Sequence, residues 1–102
     1  MAEPRGITMW SAGTLRVDAE LGADGAVEIA GQDFGHPMCD EYEYWITVSP
    51  SDVPALVTAL GGADGDDVLV LLASRAEEIV RAGEKSWIES HGIVPEFFNR
   101  MG

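Results

Sequence analysis

The chain has 102 residues, 46% of them hydrophobic, and carries 18 Asp or Glu against 6 Lys or Arg, for a formal net charge of −12. That length leaves room for one hydrophobic core, and that charge argues against nucleic acid and anionic bilayers as partners, since both demand a basic face. The one cysteine, Cys39, excludes an intramolecular disulfide.

The acids are not evenly spread. From Val17 to Ser74 there are twelve acids and no Lys or Arg, whereas residues 1–16 and 75–102 are nearly balanced. Such a block would steer a basic protein inward and speed encounter. It also serves solubility, or life in high salt. The N-terminus begins no apolar segment of the kind a secretory signal needs. The longest apolar run, Val68 to Ala73, is far too short to span a bilayer. The expectation is a single cytoplasmic domain over 1–102, with strands over 7–48, helices over 50–91 and a tail over 93–102.

In chain order, residues 7–11 are a short strand. In residues 14–21, Leu15, Val17, Ala19 and Leu21 alternate with Arg16, Asp18 and Glu20, the pattern of a half-buried strand. A turn over residues 22–25 and a return over 26–30, with Val27 and Ile29 inward, make a β-hairpin. Gly31 to Asp40 reads as a loop, broken by Gly31, Gly35 and Pro37. Residues 42–48 are the clearest strand, with Tyr42, Tyr44, Ile46 and Val48 on one face and Glu43, Trp45 and Thr47 on the other.

Ser49-Pro50-Ser51-Asp52 is a helix start, and Val53, Leu56, Val57 and Leu60 repeat at helical spacing until Gly61-Gly62. A second helix follows the carboxylates of Asp64, Asp66 and Asp67, which suit the positive end of its dipole. Its stripe is Val68, Leu71, Leu72, Ala76, Ile79 and Val80, with a Glu77–Arg81 pair at i,i+4. Gly83 breaks or kinks it, residues 84–90 form a third piece, and the apolar tail from Ile93 to Phe98 docks on the core. Strands followed by helices predict an α+β fold: a small antiparallel sheet of 3–4 strands, with 2–3 helices packed on one face.

No catalytic constellation stands out, so the chain is not expected to be an enzyme. Cys39 follows His36 by three residues, but Asp40, Glu41 and Glu43 oppose the thiolate a nucleophile needs. The His36-x-x-Cys39 spacing suits zinc, yet no second pair of the usual kind exists. Asp64-x-Asp66-Asp67 opens like a calcium loop, but Arg75 stands where the bidentate Glu belongs, so these acids read as helix capping. No catalytic, metal or cofactor-binding residue is assigned, and no cofactor is expected.

The candidate partner-binding residues are Asp33, Asp40, Glu41, Glu43 and Trp45. If the face of Trp45 is uncovered, an aromatic ringed by acids is a protein-binding hot spot; otherwise Trp45 packs beneath the tail with Phe97 and Phe98. The partner expected is a basic protein, and the sharpest form is an immunity- or antitoxin-like inhibitor covering a basic active site. The alternative is a carboxylate-based metal- or ligand-binding protein or enzyme, with a divalent ion on Asp33, Asp40 and Glu41.

Gly31-Gln32-Asp33-Phe34-Gly35, then Asp40 to Val48, then Leu60-Gly61-Gly62, ending in residues 91–98 from His91 to Phe98, resembles a group of small acidic actinobacterial proteins of unknown function. Abundant Ala, Gly, Val, Asp and Glu fit a GC-rich source, with Lys85, Asn99 and Gln32 each the sole residue of its type. The resemblance covers most of residues 14–98, implies one whole-chain domain, and implies no activity.

Overall fold

The computed structural model describes residues 5–35 and 41–101. Five strands, β1 (Arg5–Ala12), β2 (Leu15–Leu21), β3 (Val27–Asp33), β4 (Tyr42–Val48) and β5 (Glu96–Met101), form one antiparallel sheet in sequence order. Four short helices, α1 (Val53–Ala59), α2 (Val68–Ser74), α3 (Ala76–Ala82) and α4 (Glu84–Ser90), lie between β4 and β5. The α+β class is as expected, with one strand more than the 3–4 predicted and one helix more than the 2–3 predicted. No described helix is long and apolar enough to cross a membrane.

The extra strand is the tail. Ile93 alone is buried, at 3% exposure, and the chain then joins the sheet beside β4, with every residue of β5 exposed. Phe97 and Phe98 thus lie along a sheet edge instead of docking on the core. The extra helix arises because the predicted second helix divides at Arg75, whose backbone leaves the helical region at φ −119°, ψ 18°. Neither Gly nor Pro marks the break. The Arg75 guanidinium instead donates to the Ala59 carbonyl at 3.2 Å and to Glu78 at 2.8 Å, and lies 5.7 Å from the centroid of the Trp87 ring. The contacts to Ala59 and Trp87 are tertiary, and tertiary context of this kind can outweigh a continuous helical stripe.

One sheet face carries the core. Val17, Ala19, Val27, Ile29, Ile46 and Val48 are buried against Leu56, Leu69, Leu72, Ile79 and Ile88 of the helices. A bulge in β1 between Thr8 and Trp10 inserts Met9, so Met9 is buried in the core and Trp10 packs against it. Asp67 caps α2 by accepting from the Leu69 amide at 3.0 Å, and it ties β1 to that helix through Arg5 at 2.6 Å. The Arg5 bond holds the Asp67 carboxyl below its ordinary range. Asp66 accepts from the Ala63 amide at 2.8 Å, so both acids serve as loop and helix caps. The Glu77–Arg81 pair forms at 2.9 Å. Ser49, however, caps nothing with its side chain, and Pro50–Asp52 make a 3-10 turn before α1.

β3 runs three residues further than the sequence suggests, through Gly31, Gln32 and Asp33. Gly31 stands opposite Tyr44, and the Tyr44 ring occupies the space a side chain at Gly31 would need. A glycine that reads as a breaker is here the place where a neighbouring ring approaches the strand closely.

Candidate interaction face

Side chains alternate across a strand, so the residues paired in register with one another share a face. On the face away from the helices, Thr8, Asp18, Ala30, Trp45 and Phe98 form one row across all five strands. Gly6, Glu20, Glu28, Thr47 and Glu96 form the next, and Ser11, Arg16, Gln32, Glu43 and Arg100 the row on the other side. The central row is aromatic at the β4–β5 end: the Trp45 and Phe98 rings are 5.4 Å apart and tilted by 41°. Ala30, opposite Trp45, is small enough to leave the indole room.

The acids on this face outnumber the bases. Asp18, Glu20, Glu28, Glu41, Glu43 and Glu96 face two guanidiniums, Arg16 and Arg100. Arg16 is held by Asp18 at 3.2 Å, and Arg100 lies 3.6 Å from Glu43. Glu20 and Glu28 are direct cross-strand partners. Among the described residues neither joins an ion pair. Like charges placed directly opposite destabilise a sheet, so this row costs the fold stability. Glu41 shares a hydrogen bond with Glu43, which, with some desolvation and the Glu43 charge, raises the Glu41 pKa above the ordinary carboxylate value; Arg100 opposes the rise.

Two shallow depressions flank Trp45. One, of about 290 Å³, is bounded by Glu28, Thr47, Glu96, Phe97 and Phe98; the other, of about 130 Å³, by Arg16, Asp18, Gln32 and Glu43 among others. Trp45 lines both and is itself half-buried. Trp45 thus lies beside Phe98 of the tail on the uncovered face and is not packed beneath it with both phenylalanines, since Phe97 pairs with Ile46 and belongs to the other face.

No protein-family model matches this chain, no curated protein is significantly similar to it, and no solved structure matches it.

Of the five candidate residues, Glu41, Glu43 and Trp45 come together here. Asp33 does not join them: it pairs with Tyr42, on the opposite parity, and its Oδ1 accepts from Thr14 Oγ1 at 2.8 Å and from the Gly35 amide at 3.0 Å. Asp40 lies outside the described residues, as do His36 and Cys39. Among the described residues no three His, Cys, Asp or Glu side chains lie close enough to hold a metal ion.

A second, smaller feature sits on the helix side. Tyr42, Tyr44, Ile46, Phe97 and residues 83–86 at the start of α4 line a groove of about 230 Å³, below the size of most ligand pockets. Its one buried carboxylate, Glu84, accepts the Tyr44 hydroxyl at 2.7 Å. Burial, then that bond, push the Tyr44 pKa far up, so its phenol stays neutral. The pair ties β4 to α4.

Sequence reasoning missed Phe98, Arg100, Glu20 and Glu28 as members of the face. The alternation of β2 did put Glu20 outward. What was not legible is which strands stand side by side, and that is what gathers these four around Trp45.

Proposed function

We propose that this chain is a non-enzymatic protein-binding module that docks the open face of its sheet on a basic protein. In its sharpest form it covers a basic active site, as an immunity- or antitoxin-like inhibitor does. One observation carries this reading: a tilted Trp45–Phe98 pair lies at the β4–β5 end of a face on which Glu20 and Glu28 stand directly opposite each other. An unrelieved local conflict of this kind is what a surface kept for a partner exhibits. A basic partner relieves that repulsion, and an aromatic anchor between two depressions supplies the desolvated centre that hot spots require.

The alternative, a metal or ligand site on Asp33, Asp40 and Glu41, draws less support, because Asp33 is spent on Thr14 and Gly35 and points to the other side of the sheet. Kinship with small acidic actinobacterial proteins belongs to the same proposal and names the lysate in which to look for the partner.

A photoreactive residue in place of Thr47, on the open face, tests the reading against one in place of Val70, which is 62% exposed on α2. The expected result is a cross-link from position 47, and not from 70, to a protein of net positive charge. Cross-linking from position 70 alone, or to acidic proteins from position 47, would count against it.

A further inference from the structure

The sheet has two edges, and they are built differently. β1 is interrupted by its bulge and is pinned to α2 by Arg5 and Asp67. Bulges of this kind are one way proteins keep an edge from pairing. β5 has none: its register with β4 is unbroken from Glu96 to Met101, and it contains neither Lys nor Pro. All six of its residues are exposed, including Phe98 at 64% and Met101 at 61%. An open edge of this length, with Phe97, Phe98 and Met101 exposed along it, is a template for pairing with another strand.

The charges on β5 select which strand. Glu96 and Arg100 stand two residues on either side of Phe98, all three on the open face. Consider a second copy of β5 laid antiparallel with Phe98 on the two-fold axis. Phe98 then faces Phe98, and each Glu96 faces Arg100 of the other copy. Placing any other β5 residue on the axis brings no opposite charges together. Direct cross-strand pairs of opposite charge and of two aromatics are both stabilising. A self-complementary patch of this form is what a two-fold interface requires.

We infer that β5 is the dimerisation edge, joining two copies through β5–β5 pairing centred on Phe98. The result is one continuous sheet of ten strands, with Trp45 and Phe98 of one copy in line with Phe98 and Trp45 of the other. Glu43 is a weak competitor for Arg100 at 3.6 Å, and the Arg100 side chain is 69% exposed, free to turn outward. The inference does not rest on the basic-partner reading: the edge can pair whether or not the face binds anything.

Sedimentation velocity on the full chain, from micromolar to millimolar concentration, tests it. The expected result is a monomer–dimer equilibrium for the unmodified chain. Glu96→Arg and Arg100→Glu each place like charges across the axis and raise the dissociation constant by about tenfold or more. The double variant Glu96→Arg/Arg100→Glu restores opposite charges and returns the dimer. Among the described residues Glu96 makes no ion pair within the fold. Its reversal therefore remains a valid test even if Arg100→Glu, which also loses Glu43, fails to fold by circular dichroism. A chain monomeric throughout overturns the inference, and so does a dimer indifferent to Glu96→Arg. Failure of a well-folded double variant to recover would do the same.

Discussion

Replacing Gly31 with alanine lowers the free energy of unfolding by about 2–5 kcal/mol, a large part of what a domain of this size has. In an ordinary strand position the change would stabilise, since glycine weakens strand interiors. Here the new methyl would overlap the ring and hydroxyl of Tyr44, the cross-strand partner of Gly31. That ring has little freedom to retreat. It packs against the core, has Tyr42 5.7 Å away, and is held by Glu84 at 2.7 Å. Displacing it costs about 1–3 kcal/mol of overpacking. Losing the hydrogen bond leaves the buried Glu84 carboxylate without its phenol, another penalty of about 1–3 kcal/mol. Urea unfolding of Gly31→Ala, with Tyr44→Ala as background, separates the causes. In that background the alanine should cost almost nothing, because nothing is left to collide with. A Gly31→Ala chain as stable as the original would show that Tyr44 does not hold the position described.

Replacing Trp45 with alanine weakens the partner captured at position 47 by about 2 kcal/mol or more, roughly thirtyfold in dissociation constant. Trp45 lines both depressions of the open face and contacts Phe98. Its removal merges the hollows and leaves Phe98 without a neighbour of its kind. The loss should fall on the dissociation rate, as expected of a packed anchor, with the association rate nearly unchanged. Phe98→Ala should lose less, since that ring is already 64% exposed. Surface plasmon resonance measures both rates, and circular dichroism checks that each variant keeps its fold. An unchanged dissociation rate for Trp45→Ala would remove the aromatic centre from the account.

The strands and helices were legible where the period was clean. The alternation in β2 and β4 gave both faces correctly, and the helical spacing of Leu56, Val57 and Leu60 marked residues that are buried. What failed to show were features set by distant groups. Gly31 resembles a breaker because only Tyr44, thirteen residues on, explains it. Arg75 carries no sign of a helix break, and two of the groups its side chain meets there, Ala59 and Trp87, lie far from it along the chain. The tail read as core because Phe97 and Phe98 are large and apolar, and adjacent aromatics on a strand point to opposite faces, which no helical or docking pattern anticipates.

The same division runs through the candidate site. Glu43 and Trp45 could be placed on one face from β4 alone. Asp33 could not be removed from the group until its bonds to Thr14 and Gly35 were seen. The acidic block from Val17 to Ser74 was evident as a run of charge. That five of its twelve acids, Asp18, Glu20, Glu28, Glu41 and Glu43, share one face depends on β2, β3 and β4 standing adjacent, with Glu96 of β5 added beside them.

The measurement that bears most directly on the open face is the association rate with the captured partner as a function of salt. It compares the unmodified chain with Glu20→Gln/Glu28→Gln/Glu43→Gln. If the face steers a basic partner, the unmodified chain associates about tenfold or more faster at low salt than at physiological salt. The triple variant should start slower and depend on salt less steeply. Association that ignores both salt and the three substitutions would contradict the claim that this acidic face is what the partner meets.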